Sequence, residues 1–207
     1  MKKLFDGVKE FSSDEFNNNK DLFRELREKQ EPHTLFIACS DSRVIPTLIT
    51  NSLPGELFII QNVANIVPFY RASSEFLATT SAIEYAVMVL NVKNIVICGH
   101  TDCGGCRAYY EQSDELSFVP HTKKWLNLID PVRERVIEIQ KRFNDAEVGW
   151  LVEQQNVILQ LNNLLTYPFI KERYDNGELS LFGWYYDIEH GTVYDYNNEK
   201  RVFEKIR

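Results

Sequence analysis

Nothing in the chain approaches the length of uninterrupted apolar sequence that a membrane span needs, which excludes an integral membrane protein built on helices. Blocks of lysine and arginine are missing too. The opening KK pair and the later KRF and EKR pieces are short and mixed with acids, and the formal net charge is −7. A nucleic-acid partner is therefore left without its electrostatic footprint. The start, MKKLFDGVKEF, lacks an apolar core of leader length, because Asp6, Lys9 and Glu10 interrupt it. Internal repeats and low-complexity linkers are absent. Cysteine is scarce, four in 207 residues. A cytoplasmic protein is the resulting expectation, and there the four read as metal ligands, buried thiols or redox groups rather than structural disulfides. What is present is ordinary: 44% hydrophobic and 26% charged residues, suited to a single domain over residues 1–207 with a substantial core.

Hydrophobic periodicity gives the element order. Val8–Asn18 and Asp21–Lys29 read as helices, the second closed by Glu31-Pro32. Thr34–Cys39 reads as a buried strand, Val44–Thr50 as a helix, and Leu57–Gln61 as a second strand after the turn Leu53-Pro54-Gly55. Ser73–Leu90 has helical spacing, with a Ser pair and Glu75 at its start. Asn94–Cys98, NIVIC, is continuous and β-branched, as a strand covered on both faces should be. Trp125–Phe143 and Val148–Leu165 read as alternating apolar and charged residues, two amphipathic helices. Leu179–Ile188 and Thr192–Tyr196 form two strands joined at Glu189-His190-Gly191. The fold class is α/β: a central, mostly parallel β-sheet flanked by helices, with an N-terminal helical arm over residues 1–31 and an antiparallel C-terminal edge hairpin.

Chemistry collects where two strands end. TLFIACSDSR runs from core residues straight into Cys39, Asp41 and Arg43, and NIVICGHTDC into His100 and Cys103. Groups of this kind at the end of a buried strand are costly without partners. In a parallel sheet the carboxyl ends of the strands share one crevice, where ligands bind. Two thiolates, one imidazole and a carboxylate or water match the tetrahedral preference of zinc. The ligands come from distant strands rather than from compact CxxC knuckles, which favours a working site. Asp41 bound to the metal leaves no open vertex; Asp41 drawn off by a bidentate pair with Arg43 leaves one for water. An Asp41/Arg43 gate follows, with the released Asp41 accepting a hydrogen bond from zinc-bound hydroxide. Two thiolates weaken the ion as an acid catalyst, so activity is expected to rise above neutral pH.

Other readings of the same residues compete. Cys98 lies inside its strand and reads as a buried small hydrophobe. Cys98, Cys103 and Cys106 share the C-x4-C-x2-C spacing of plant-type iron–sulfur proteins, which makes an iron–sulfur or thiol redox protein the rival from spacing. That rival leaves His100 and the Asp41–Arg43 pair without a task. His33, His121 and His190 read as solvated or locally hydrogen-bonded.

CSDSR at 39–43 and GHTDCGG at 99–105, with PGELF, NVAN and the tail NGELSLFGWYYDIEHGTVYDYN, resemble the β-class carbonic anhydrases, most closely the bacterial members. The resemblance implies reversible hydration of carbon dioxide to bicarbonate and a proton at one zinc ion per chain. It makes Cys39, His100 and Cys103 the ligands, Asp41 the exchangeable fourth, and Arg43 the partner of Asp41. It further implies a substrate pocket of Gln30, Phe58, Val63 and Tyr85. There Gln30 reaches a neighbouring subunit's site, the other three form an apolar wall, and the Gly104 N–H faces substrate. Dimers or tetramers assembled through the N-terminal helices are implied as well. Carbon disulfide or carbonyl sulfide hydrolysis on the same scaffold is the near alternative, and a non-catalytic zinc-bound regulator a further one. One departure stands out. Where some members build a second bicarbonate site from Trp, Arg and Tyr, this chain has Phe36, Gln61 and Tyr186, so no anion is expected there.

Overall fold

A computed structural model describes residues 1–71, 77–140 and 148–207. The apolar run TLFIAC becomes strand β1, Thr34–Cys39, buried along its whole length. The other strands are β2 Leu57–Asn62, β3 Asn94–His100, β4 Ser180–Asp187, β5 Thr192–Asn197 and β6 Val202–Lys205. They form one six-stranded sheet in the order β2-β1-β3-β4-β5-β6. The first four strands are parallel, and β5 and β6 return antiparallel at the edge. The steps from β1 to β2 and from β3 to β4 go in opposite directions. The topological switch point, where a crevice opens, thus lies between the carboxyl ends of β1 and β3.

The arm consists of α1 Lys2–Glu10, a π-helical stretch Phe11–Glu15, α2 Phe16–Asn18 and α3 Lys20–Leu26. It starts earlier than periodicity suggests and ends earlier, since the charged run after Leu26 offers no apolar face. After β1 comes the short α4 Pro46–Thr50, with proline in its first turn. α5 Leu77–Glu84 continues as a π-helix over Tyr85–Val89. The expected helix start at Ser73, and the end at Phe143 of the next expected helix, lie outside the described residues. α6 Gly104–Tyr110 follows β3. The helix expected from Trp125 is broken into α7 Pro120–Leu126, a 3-10 turn Asn127–Ile129 and α8 Asp130–Gln140, with Pro131 just inside α8. α9 Val148–Leu164 and α10 Pro168–Asp175 complete the layer. α10 and β6 are too short for their periodicity to stand out in sequence.

One sheet face packs Leu35, Ile37, Ile95 and Ile97 against Ile83, Val157 and Leu164 of the helices. α9 sits very close. A Cβ on Gly99 would lie 2.6 Å from Val157 Cγ2, and one on Gly183 2.7 Å from Leu161 Cδ1, so only glycine permits this approach. The opposite face, with Phe36, Ala38, Val96 and Cys98, packs against Val44, Ile49, Leu57, Trp184 and Tyr186. Phe182 on that face stays 36% exposed.

Candidate metal centre

β1 and β3 are neighbours in register, Ala38 opposite Cys98, so their last residues, Cys39 and His100, come side by side. His100 and Cys103 are joined by a tight turn in which Asp102 takes a left-handed φ of 58°. Cys103 then caps α6. The ligand atoms of Cys39, His100 and Cys103 all lie within 4.8 Å of one another, and all three residues are buried.

The donor set fits zinc. Cys39 Sγ and Cys103 Sγ are 4.0 Å apart, against roughly 3.8 Å for two sulfurs at zinc–sulfur bond length on a tetrahedron. His100 Nδ1 is 3.0 Å from the Thr101 carbonyl. A carbonyl only accepts, so Nδ1 carries the proton and Nε2 keeps its lone pair, the outer-layer bond that metal-bound histidines make. His100 Nε2 is buried and has no hydrogen-bond partner, which is expensive in a metal-free site. Without a cation both thiols resist ionisation: the hydrogen bond with Cys103 and burial push Cys39 up to about 12, and the hydrogen bond with Cys106, together with burial, pushes Cys103 up. A divalent ion must displace these protons.

Asp41 stands beside the cluster, its Oδ2 3.9 Å from His100 Nε2. It is held by Arg43, whose backbone N–H and Nε donate to Oδ1 at 2.9 Å while Nη2 donates to Oδ2 at 2.8 Å. That guanidinium keeps the Asp41 carboxyl well below the usual carboxylate range. Arg43 is itself steadied by the Asp102 carbonyl at 3.1 Å, and the Asp102 carboxylate pairs with Arg107 at 2.7 Å.

Of the remaining residues singled out in sequence, Val63 and Gly104 belong to this end of the sheet. Val63 directly follows β2, and its Cγ1 would lie 3.0 Å from a Cβ on Gly105. Gly104 opens α6 beside Cys103. Phe58, Tyr85 and Gln30 do not join them within one chain. Phe58 pairs with Leu35 near the start of β1, four residues before Asn62, which pairs with Cys39, so about 13 Å of strand separates it from the metal end. Its ring meets Tyr85 at a centroid distance of 6.0 Å. Gln30 is exposed ahead of the amino end of β1. The single apolar wall expected of Phe58, Val63 and Tyr85 is therefore split, because β2 presents its residues along a rigid rise rather than around one point.

The thiols separate likewise. Cys98 is fully buried on the Phe36 face, and burial pushes its thiol up to about 12. Cys103 and Cys106 sit in a different cluster, so the three-cysteine iron–sulfur reading has no common centre. All four cysteines are free. Glu153 and Asn156 escaped the sequence reading, as did the role of Gln61. Gln61 Nε2 donates to the Cys39 carbonyl at 3.0 Å and the Val44 carbonyl at 3.1 Å, tying both ends of the loop that carries Asp41 and Arg43. Glu153 accepts from the Cys103 N–H at 2.7 Å. The Asn156 amide donates to Cys106 Sγ at 3.6 Å and the Ala64 carbonyl at 2.8 Å.

Residues 34–193 match the family model described as Carbonic anhydrase. The carbonic anhydrase of Helicobacter pylori (strain J99) is 44% identical over 207 residues, covering 99% of this chain and 94% of that protein. That of Pseudomonas aeruginosa is 39% identical, covering 100% and 92%. Among solved structures, the β-carbonic anhydrase CcaA superposes with a TM-score of 0.94 at 36% identity, covering 100% of this chain and 92% of that one. One of two tetrameric β-carbonic anhydrases from Sordaria macrospora gives 0.79 at 31%, covering 93% and 94%. With the Cys39–His100–Cys103 cluster at the switch point and likeness over the full chain, the protein belongs to the β-class carbonic anhydrase family, the carbonate dehydratases.

Proposed function

We propose that the chain hydrates carbon dioxide reversibly at a zinc ion held by Cys39, His100 and Cys103, with Asp41 and Arg43 as the gate on the fourth position. When bound, zinc acts as a Lewis acid that makes a water molecule nucleophilic near neutral pH. The chain supplies the rest. Arg43 draws Asp41 aside by two parallel hydrogen bonds, and the carboxylate, 3.9 Å from the orphaned His100 Nε2, is near enough to accept a hydrogen bond from the nucleophile and orient it. Released from Arg43, Asp41 would be able to serve as the fourth ligand and so close the site. Val63 and the Gly104 N–H border the same crevice and suit a small linear substrate and the oxygen that becomes charged.

Gln30, Phe58 and Tyr85 complete the pocket from a second protomer. Their place at the other end of the strands supports this reading, since within one chain they are out of reach. The exposed apolar side of α1 supports an oligomer as well: Leu4, Phe5 and Val8 are 66%, 62% and 64% exposed. Either a dimer or a tetramer satisfies both observations. Among the described residues no helix is long and apolar enough to cross a membrane.

The observation that carries the proposal is the convergence of three metal-ligand atoms within 4.8 Å while the Asp41 carboxylate beside them is engaged by Arg43. The test is stopped-flow carbon dioxide hydration across pH on protein of known metal content. About one zinc per chain, a rate that rises above neutral pH, and loss on chelation with recovery on zinc addition are expected. A zinc-replete protein with no hydration activity overturns the proposal.

A further inference from the structure

We propose that Glu153, braced by Tyr185, is a positioning residue that fixes Cys103 in its metal-binding geometry. Two residues, Thr101 and Asp102, separate His100 from Cys103, yet their donor atoms must meet, so the turn between them is tight and passes through left-handed Asp102. Such a turn points successive backbone N–H groups toward one side, a concavity that suits an anion. Here a side chain fills it. Glu153 Oε1 accepts the Cys103 N–H at 2.7 Å, and the Asp102 N–H contributes to the same carboxylate. Oε2 accepts the Tyr185 hydroxyl at 2.7 Å. Glu153 and Tyr185 are each only 5% exposed, so water does not substitute for either bond.

The placement follows from the packing of α9. Glu153 and Val157 are one helical turn apart on one face, and Val157 presses on Gly99 in β3. The helix thus rests on the strand one residue before His100 and projects Glu153 to the loop just beyond it. Tyr185 reaches the carboxylate from β4, opposite Gly99 in register. The metal ligand's backbone is in this way held from two elements that contribute no ligand themselves. Charge-assisted bonds of this kind are shorter and stronger than neutral ones, and outer-layer contacts set how firmly a ligand is presented.

The inference rests on the zinc reading above, and its test separates the two. Zinc-loaded wild type, Glu153→Gln, Glu153→Leu and Tyr185→Phe are compared by the rate of zinc release to a chelating dye, and by the visible absorption of the cobalt(II)-substituted proteins. Glu153→Leu is expected to release zinc about 10–100-fold faster and to shift the cobalt thiolate bands. Glu153→Gln, which keeps an acceptor for Cys103, should restore most of the wild-type behaviour, and Tyr185→Phe should fall between. Folded Glu153→Leu with wild-type release and spectrum overturns the inference; so does equal damage from Glu153→Gln and Glu153→Leu. Should Glu153→Leu fail to fold, Tyr185→Phe decides alone, unchanged release overturning the inference. Wild type that takes up no metal overturns the zinc reading, and this one with it.

Discussion

Asp41 is the residue on which activity and metal binding part company. The cluster of Cys39, His100 and Cys103 needs no fourth protein ligand to hold zinc, so Asp41→Asn is expected to keep about one zinc per chain while hydration falls ~10–100-fold; full activity in that variant ends the gate proposal. The same carboxylate has a stability signature. Its folded pKa is depressed below the ordinary 3.8 by Arg43, so its contribution is fully present above that value and lost as pH falls toward the folded one. In metal-free protein the urea-unfolding difference between wild type and Asp41→Asn should shrink below about pH 4. Gln61 carries a different expectation. Its amide hydrogens already serve the Cys39 and Val44 carbonyls, so neither charge nor a spare donor is left for an anion beside Phe36 and Tyr186. Crystals soaked in bicarbonate should show nothing ordered next to Gln61, and an anion there would contradict this. Residues such as Cys39 and His100 were legible in sequence because a strand ending in costly polar groups announces a site. Gln61 was legible only as a departure from Arg; its bracing role was not, because a lone amide in a strand has no spacing to betray its partners.

α9 shows where reading by element falls short. Val148–Leu164 has the alternation of an amphipathic helix, and the simple inference points its polar side to water. Instead Glu153, Asn156, Gln160 and Asn163 are buried. They serve the Cys103 N–H, the Ala64 carbonyl and both polar groups of Val67, backbone groups that irregular loops leave without ladder partners. The legible trace was their chemistry: neutral amides at three- and four-residue intervals, where a solvated face would carry charge. Strands β1 to β5 were readable in existence and direction, since continuous β-branched runs separated by helices leave few topologies; β6 and the loops that α9 satisfies were not. Because α9 sits on the sheet through Gly99 and Gly183, Gly183→Ala should force Leu161 away from a 2.7 Å contact. A loss of about 1–3 kcal/mol, seen as a Tm lower by roughly 2–10 °C, is expected with zinc content unchanged. An unaltered Tm would mean that the helix has slack to give.

For the whole molecule, the question is what one chain leaves unfinished. No residue of α1 is buried, although the arm is not loosely built: Phe11, Phe16 and Phe23 pack ring against ring at 5.2 to 6.4 Å and fix its bend. A pinned helix with Leu4, Phe5 and Val8 in water forgoes about 1.5–3 kcal/mol for each large side chain. Phe182, meanwhile, stays 36% exposed on one sheet face, and the pocket residues divide between the two ends of the strands. The second protomer proposed above would answer all of these at once, its Gln30, Phe58 and Tyr85 meeting this chain's Val63 and metal cluster while the arms supply cover. The metal cluster itself lies within one protomer, so assembly and zinc binding are separable. Phe5→Asp combined with Val8→Asp puts two carboxylates on the apolar side of the arm without touching the cluster. In analytical ultracentrifugation the variant should run as a smaller species and retain about one zinc per chain. Its hydration rate should fall on the order of 100-fold, as misplacement of pocket groups commonly costs. A smaller species with full activity would break the two-chain pocket, and an unchanged sedimentation coefficient would show that this face of α1 is not the one that the partner covers.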